Sequence, residues 1–526
     1  MNFKIKSVLI VGGGSSGWFT ASALCRLCPN IDVTLIESKN VPTIGVGEST
    51  LGFITSFFNG LGMKDEDWMP ACNATYKASI KFTDFYKKGE VFHYPFGEED
   101  LSHTKFGRDD WFMKKWLYPE TPIEDFCRSM FVHMPLIEGN KIYKNEDRTI
   151  PYYSFARDTA YQLDATLLAH WMRDNLCLPT GMKHILDDVT NVNLDELGWI
   201  SSVDTKEGGK LEADLYIDCT GFKSLLLEKS LKIPFISYRD DLINDKAWAT
   251  HKPFKDKNKE MELWGNNTAI ENGWVWNVPL WTNIGTGYVF SSEFVSDDDA
   301  LVEFQKHIGY GDELDYNLVH IKNGRHSKCW TKNCLAIGLS NGFIEPLEST
   351  GLMLTHETIN NLIMTLQNRE GYVNQFDRDC LNKRLAKQTD DFSKFVALHF
   401  IGSERTETEY WKYYSQEKEN DFIDEFYEAG FETLFNTKLN SLTSERLSLG
   451  TLCIMVGMHL DLYTDYTRER LRFVFLKWND YNKSVFEEEI QSSLDYWQGR
   501  TVMVQQIADE SPTNYEYLRD NYDYNE

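Results

Sequence analysis

A glycine-rich run directly follows the first apolar segment of the chain. Residues 8–11 read VLIV and residues 12–17 read GGGSSG, which is the pattern G-x-G-x-x-G. A short, continuous apolar run is typical of a parallel strand that is buried on both faces. Glycines at the following turn let the backbone approach a pyrophosphate, whose charge is stabilised at a helix N-terminus. This order predicts a strand, a phosphate-binding turn and a helix over residues 18–27.

A second strand and an acidic residue complete this pattern. Residues 33–36 read VTLI and precede Glu37, which lies 20 residues after Gly17. A carboxylate at the end of the second strand accepts hydrogen bonds from the hydroxyls of an adenosine ribose. The segment therefore predicts a dinucleotide site and by itself leaves NAD and FAD both open. A second G-x-G-x-x-G with its own strand and helix is not apparent in the sequence, so we expect no dedicated NAD(P)H domain.

The composition and charge of the chain limit the kinds of partner that it can bind. The 526 residues include 54 Lys and Arg against 80 Asp and Glu, a formal net charge of −26, which opposes binding to nucleic acid. No apolar run approaches the roughly 18 to 20 residues that cross a bilayer, so no membrane partner is expected. The ten cysteines are irregularly spaced, and Cys25-x-x-Cys28 has no second pair. We therefore expect reduced thiols, a cytoplasmic location and no metal site.

Two later segments favour FAD. Residues 211–222 read LEADLYIDCTGF and residues 335–340 read LAIGLS, each a strand that breaks at a glycine. Both resemble the returning strands of glutathione-reductase-like FAD proteins. Apolar spacing from Ser349 to Gln367 predicts a helix whose N-terminus faces the flavin. We expect an α/β chain with a glutathione-reductase-like FAD-binding fold, inserted antiparallel sheets and a mainly helical C-terminal substrate module.

Three further motifs follow one another along the chain. Residues 45–50 read GVGEST, residues 274–279 read WVWNVP and residues 343–351 read FIEPLESTG. The first is a polar turn on physical grounds. The second puts Trp274 and Trp276 on one face of a strand, either as an aromatic wall or as two core residues. The third precedes a helix, where unpaired backbone N–H groups form a natural anion site.

These motifs resemble those of the flavin-dependent halogenases of the tryptophan-halogenase family, over roughly residues 1–400. The resemblance implies that FAD (as FADH2), O2 and a halide ion yield hypohalous acid, which halogenates an electron-rich aromatic substrate such as an indole, a phenol or a pyrrole. It implies that Thr350 and Gly351 bind the halide, and that Glu348 positions the oxidant and accepts the ring proton. It implies Lys81, in the segment ASIKF at residues 78–82, as the lysine between flavin and substrate. A separate NAD(P)H-dependent flavin reductase would supply the FADH2.

The resemblance also implies the remaining site residues. Residues 93–97 read HYPFG, with Phe96 as an aromatic residue between flavin and substrate and Tyr94 where many relatives have His. The implied substrate pocket contains Phe96, Tyr94, Trp274, Trp276 and Pro279. The implied cofactor-binding residues are Gly12, Gly13, Gly14, Ser16, Gly17, Glu37, Gly47, Glu48, Ser49, Val189, Leu339, Ser349 and Leu352.

The last part of the chain is less informative. Residues 391–526 are helical in pattern and rich in acids and aromatics, and we expect an FAD-binding body over residues 1–395 and a substrate-covering module over residues 396–526. Residues 410–414, which read YWKYY, fit a cavity lining or a surface helix, and residues 514–526 fit a frayed tail. The residues that grip free tryptophan are not identifiable. An open pocket for several aromatic substrates is therefore the preferred hypothesis.

Two alternatives share the same fold. A flavin-dependent monooxygenase without halide chemistry would insert oxygen, and a non-catalytic FAD-binding protein would only hold the cofactor. Glu348 together with Lys81 argues against both.

Overall fold

The computed structural model describes residues 3–40, 47–105, 107–144, 148–417, 449–459 and 480–524. The strands in these residues are β1 Phe3–Lys4, β2 Ser7–Val11, β3 Asp32–Glu37, β4 Glu48–Ser49, β5 Thr75–Lys77, β6 Ser79–Thr83, β7 Val91–Pro95, β8 Ala160–Leu163, β9 Lys183–Leu186, β10 Val189–Leu194, β11 Ile200–Thr205, β12 Gly209–Leu211, β13 Leu215–Asp218, β14 Phe235–Ser237, β15 Lys246–Lys252, β16 Trp264–Ile270, β17 Gly273–Pro279, β18 Ile284–Phe290, β19 Asn317–His320, β20 Gly324–His326, β21 Trp330–Thr331, β22 Cys334–Ala336, β23 Gly342–Phe343 and β24 Tyr372–Val373.

The α-helices in the same residues connect and cover these strands. They are α1 Ser15–Leu27, α2 Phe53–Gly60, α3 Asp65–Trp68, α4 Asp109–Leu117, α5 Glu124–Met130, α6 Met134–Glu138, α7 Phe155–Asp158, α8 Ala165–Met172, α9 Lys257–Glu260, α10 Asp297–Ile308, α11 Thr350–Asn368, α12 Gln375–Ile401, α13 Glu409–Lys412, α14 Leu449–Gly457, α15 Asp480–Glu510 and α16 Asn514–Asn521.

A six-stranded sheet forms the nucleotide-binding part of the fold. Its order is β21-β22-β13-β2-β3-β9, and the pairs from β22 to β9 are parallel. Four of the five residues of β2 are buried, as expected for a parallel strand covered on both faces. The carboxyl ends of β2, β3 and β13 therefore meet at one edge of the sheet, where such folds bind ligands.

A seven-stranded sheet faces the site from the other side. Its order is β19-β15-β18-β17-β16-β6-β7, and all its pairs are antiparallel except β16 with β6. This is the inserted antiparallel sheet expected from the sequence. Ala247, Ala249, Trp276 and Val289 of this sheet line the same cavity as the glycine turn after β2. The cavity thus lies between the two large sheets.

The described C-terminal residues are helical, as predicted. Helix α12 passes through residues 395 and 396 without a break, and the division of the chain there stays a prediction. Tyr410, Trp411 and Tyr414 are at most 1% exposed and form part of a buried aromatic cluster, so they are neither a cavity lining nor a surface stripe.

The predicted frayed tail is wrong for the described residues. Helix α16 begins with a capping box in which Thr513 and Glu516 satisfy each other's backbone N–H groups. The residues that follow it pack inward, because Tyr522 bonds the hydroxyl of Tyr76 at 2.6 Å and the Tyr524 ring stacks on Trp281 at 4.1 Å. Aromatic burial therefore outweighs the acidic composition that suggested a tail.

Candidate active site

A cavity of about 620 Å³ collects most of the residues expected to hold a cofactor. It is lined by residues from both large sheets and from the N-terminus of α11. The sequence-predicted residues that line it are Gly12, Gly13, Gly14, Ser16, Glu37, Gly47, Glu48, Ser49, Val189, Trp276, Leu339, Ser349, Thr350, Gly351 and Leu352.

The glycine turn after β2 has the shape that a diphosphate needs. Gly12 has a φ of +112°, and a Cβ there would collide with the carbonyl oxygen of Cys219. Gly17 lies outside the cavity, where a Cβ would collide with the carbonyl of Gly12, so its role is close packing of helix and strand. A Cβ on Gly14 would meet nothing within 4 Å. The turn thus packs closely against Cys219 on one side and is open towards the cavity on the other.

Glu37 occupies the expected position at the end of β3. Its Oε1 accepts a hydrogen bond from Nε2 of His184, 2.7 Å away on β9. A Cβ on Gly13 would overlap the Glu37 carboxyl group, so the acid lies directly against the turn. This arrangement suits a ribose beside a diphosphate, and these residues fit a flavin dinucleotide.

Gly47 and the short strand β4, which consists of Glu48 and Ser49, border the other end of the cavity. Burial raises the pKa of Glu48 to about 7, although its side chain opens onto the cavity. The hydroxyl of Ser49 is buried and has no hydrogen-bond partner in the part of the chain that the structure describes. Gly45 and Val46 of this motif lie outside the described residues.

The N-terminus of α11 presents free backbone donors to the cavity. Its N-cap, Ser349, has a φ of +56° and makes no capping bond with its side chain. A Cβ on Gly351 would meet nothing within 4 Å, so the first turn of the helix is open. The first N–H groups of a helix lack intrahelical acceptors and carry the positive end of its dipole. Thr350 and Gly351 are therefore placed where an anion can bind.

A buried lysine joins Thr50, which follows β4, to the start of α11. Lys77, the last residue of β5, is 0% exposed. Its Nζ donates to the carbonyl oxygen of Thr50 at 3.1 Å and to the hydroxyl of Ser349 at 2.9 Å, and it lies 5.1 Å from the centroid of the Phe96 ring. Burial lowers the pKa of Lys77 to about 7, and the carboxyl of Glu348 opposes this shift.

The sequence predicts Lys81 for this position, and the structure places Lys77 there instead. Ile80 of β6 lines the cavity, and Lys81, its neighbour in the same strand, points to the opposite face of the sheet. The Nζ of Lys81 lies over the ring of Trp264, 5.4 Å from its centroid. The alternation of side chains along a strand is the physical reason that Lys81 does not face the cavity.

Glu348 lies in the short turn Pro346–Glu348, directly before α11. It is 1% exposed, and its Oε1 lies 2.8 Å from Nε2 of His399 on α12. Burial raises the pKa of Glu348, while His399 and then Lys77 oppose the rise. Burial, and next the charge of Glu348, raise the pKa of the Tyr94 phenol, so Tyr94 also faces this carboxyl group.

The two tryptophans of β17 have different surroundings. Trp276 lines the cavity, whereas Trp274 is fully buried and donates from Nε1 to the Oε2 of Glu345 at 2.7 Å. Their ring centroids are 6.1 Å apart, with one ring at the cavity and the other in the core. Pro279 ends the strand outside the cavity lining, where its carbonyl accepts a hydrogen bond from Thr75 at 2.6 Å.

Helix α14 packs against β7 and covers Tyr94. A Cβ on Gly450 would lie 2.5 Å from Cζ of Tyr94 and 2.6 Å from its hydroxyl oxygen. The Tyr94 ring also makes an edge contact with Phe96, at 5.9 Å between centroids. Tyr94, which is partly buried, and the buried residues Phe96, Lys77 and Glu348 therefore form one cluster beside the cavity, which we call the catalytic cluster.

The similarity of the chain to known proteins agrees with this geometry. A family model described as tryptophan halogenase matches residues 7–445. This chain belongs to the tryptophan halogenase family. Members of the family are flavin-dependent halogenases, so the protein is an enzyme that uses a reduced flavin, O2 and a halide to halogenate an aromatic substrate.

Relatives within the family cover most of the chain. The tryptophan 6-halogenase SttH of Streptomyces toxytricini is 36% identical over 433 residues, which are 77% of this chain and 80% of the relative. The tryptophan 7-halogenase RebH of Lentzea aerocolonigenes is 33% identical and covers 78% of this chain and 79% of its own. The solved apo structure of VirX1 has a TM-score of 0.87 at 40% identity and covers 99% of this chain and 100% of that chain.

Two site residues of this halogenase were not found from the sequence. Lys77 carried no signal, because strict alternation along one strand would put it on the same face as Lys81, and only the break between β5 and β6 separates the two. His399 carried no signal, because its contact with Glu348 joins α12 to a turn before α11.

None of the helices that the structure describes combines the length and apolarity of a membrane span.

Proposed function

We propose that Lys77 and Glu348 carry out the halogenation, with FAD in its reduced form as the flavin. The observation that carries this proposal is the hydrogen bond from Nζ of Lys77 to the hydroxyl of Ser349, the residue between Glu348 and the halide-binding turn. It puts a buried amine, a buried carboxyl group and free helix N–H groups in one short segment. The flavin, when bound and reduced, supplies with O2 the oxidising power that converts a halide to hypohalous acid.

The protein holds each reactant at a separate group. Thr350 and Gly351 bind the halide through backbone N–H groups, because the helix N-terminus is open towards the cavity. Gly12, Gly14 and Glu37 hold the dinucleotide at the opposite end. The catalytic cluster lies beside the cavity, so the oxidant formed there has a short path to the amine of Lys77.

Lys77 then receives the halogen. With a pKa lowered to about 7, a large fraction of Lys77 is a neutral amine near neutral pH. Its nitrogen lone pair attacks the halogen of hypohalous acid, which forms an N–halogen bond and releases water. The π electrons of the substrate ring attack the halogen, and the N–halogen bond breaks with its electron pair on nitrogen. Glu348 accepts the proton that the ring loses as its electron pair restores aromaticity, and this proton passes to Lys77, which becomes an amine again.

The substrate is an electron-rich aromatic compound such as an indole or a phenol. SttH and RebH are named as tryptophan halogenases, and tryptophan is one candidate. Within the catalytic cluster the rings of Tyr94 and Phe96 make an edge contact, and such aromatic surfaces suit a flat ring without defining an amino-acid grip. We propose a pocket that takes several aromatic substrates, with a separate NAD(P)H-dependent reductase as the source of reduced flavin.

The two lysines provide a matched test. An aerobic assay with FAD, a flavin reductase, NADH and bromide is run on a panel of indoles and phenols that includes tryptophan, and mass spectrometry detects the bromine isotope doublet. We expect Lys77→Met to lose the doublet at least a hundredfold and Lys81→Met to keep it, since Lys81 lies on the other face of β6. Loss in Lys81→Met with retention in Lys77→Met would refute the assignment. Efficient turnover of tryptophan alone would refute the broad pocket.

A further inference from the structure

His399 is a fully buried histidine whose two ring nitrogens have different partners. Its Nδ1 lies 3.2 Å from the carbonyl oxygens of both Phe395 and Val396, one turn earlier in α12. A carbonyl oxygen only accepts hydrogen bonds, so Nδ1 must carry a proton. The tautomer is therefore fixed by the helix itself.

The other nitrogen, Nε2, lies 2.8 Å from Oε1 of Glu348. The N–H direction of the ring does not aim straight at this oxygen, and within the described part of the chain neither carboxylate oxygen accepts a well-formed hydrogen bond. At 2.8 Å, a bare ring nitrogen and a bare carboxylate oxygen would oppose two lone pairs. One proton must therefore lie between Nε2 and the carboxyl group.

Few other polar groups reach this pair. Lys77 and Tyr94 face Glu348, and the rings that pack around His399 are apolar, with Phe82 at 4.6 Å and Phe395 at 5.7 Å between centroids. The pair is buried away from water, so water molecules do not hydrogen-bond the two groups in place of the shared proton.

We infer that His399 is a positioning residue that shares one proton with Glu348 and so sets the lowest pH at which Glu348 accepts a proton from the substrate. This inference deepens the proposed function and rests on the role given there to Glu348. With the proton on Nε2, the imidazolium holds Glu348 as a carboxylate in the orientation that faces Lys77 and Tyr94. When the ring C–H bond breaks, its electron pair returns to the ring and the proton goes to the carboxylate. Without His399, a carboxyl group buried among aromatic rings would already hold its proton at neutral pH.

The test compares His399→Gln with wild type over a range of pH. We expect the acid limb of kcat to move to higher pH by at least one unit in His399→Gln, so that kcat falls at least tenfold at pH 7 and recovers in alkaline buffer, while KM and the Kd for FAD stay the same. An equal loss of kcat at every pH would mean a structural role only and would overturn the inference.

Two controls keep this result separate from the proposed function. Release of hypohalous acid, followed with a halogen-trapping dye, should be unchanged in His399→Gln, because the inferred role of His399 follows halide oxidation. If Glu348→Gln keeps full aromatic halogenation, the proposed function fails whatever His399 does. An infrared difference spectrum between wild type and Glu348→Gln reports the ionisation of Glu348 directly, even where His399→Gln does not fold. A protonated carboxyl band in wild type at pH 8 would overturn the inference.

Discussion

The Nζ of Lys77 donates to the hydroxyl of Ser349 at 2.9 Å, across 272 residues of sequence. This one bond attaches a buried amine to the first turn of α11, whose N-terminus opens onto the cavity. The amine is thereby held beside Glu348, next to the place where a halide can bind. The predictions below follow from this arrangement and from the groups around it.

The pH dependence of kcat should report the state of Lys77. Burial lowers its pKa to about 7, so the amine is cationic below this pH and neutral above it. Attack on hypohalous acid requires the neutral amine, and we expect kcat at saturating substrate to rise through about pH 7 and then level off. Steady-state rates between pH 5.5 and 9 measure this. A kcat that falls through pH 7 would instead indicate that the ammonium form binds the oxidant by a hydrogen bond.

Substitutions of Ser349 should separate backbone strain from the hydroxyl contact. Ser349 has a φ of +56°, a conformation that glycine adopts without strain. Ser349→Gly and Ser349→Ala both remove the acceptor for Lys77, and we expect kcat to fall about fivefold in each, as for the loss of one hydrogen bond worth about 1 kcal/mol. Ser349→Gly should be more stable than Ser349→Ala by about 1 kcal/mol in urea unfolding, because both lose the same hydrogen bond and only glycine adopts this φ without strain. Unchanged kcat in both variants would contradict the role of the hydroxyl.

Glu345 should make stability depend on pH. Burial raises its pKa from 4.5 to about 7, against the hydrogen bonds from Asn244 and Trp274. The folded protein thus holds a proton that the unfolded chain releases above pH 4.5, so the stabilisation is complete below that pH and is lost as pH rises to about 7. We expect the free energy of unfolding of wild type to fall by up to about 1.4 kcal/mol per pH unit over this range relative to Glu345→Gln. Parallel curves for the two proteins would refute this.

Gly450 should control substrate choice through Tyr94. A Cβ at this position would meet the Tyr94 ring at 2.5 Å, so Gly450→Ala must displace a ring beside Glu348. We expect KM, and the ratio of products from a mixed aromatic panel, to change severalfold. Gly457→Ala is the matched control. Gly457 is on the same helix as Gly450, and its Cβ would displace Phe92, which is on the same strand as Tyr94. We expect this variant to have a lower melting temperature and an unaltered product ratio. Equal effects of the two variants on product ratio would contradict the assignment.

The nucleotide half of the site is predictable from the sequence because its signals are local. An apolar strand, a glycine turn, a helix and Glu37 follow one another within 30 residues, and β2, α1 and β3 occupy the predicted positions. The start of α11 is predictable for the same reason, since Ser349 and the apolar spacing after it mark a helix N-terminus.

The catalytic cluster is less predictable because its contacts are distant in sequence. Lys77 and Lys81 are four residues apart in the sequence, and the face that each occupies depends on the pairing of β5 with β8 and of β6 with β7 and β16. His399 meets Glu348 through the packing of α12, which no local pattern encodes. Tyr522 and Tyr524 follow a helix in an acidic segment, and their burial depends on partners more than 200 residues earlier.

The two hydrogen bonds of Lys77 also determine how halogen moves through this enzyme. A lysine that carried a halogen from one site to a distant one would need a side chain that moves freely through water. Lys77 is instead tethered to Thr50 and Ser349, and its four methylene groups have no room to travel. The amine therefore stays in one place. The small oxidant must diffuse from where it forms to this nitrogen, and the aromatic ring must bind next to it.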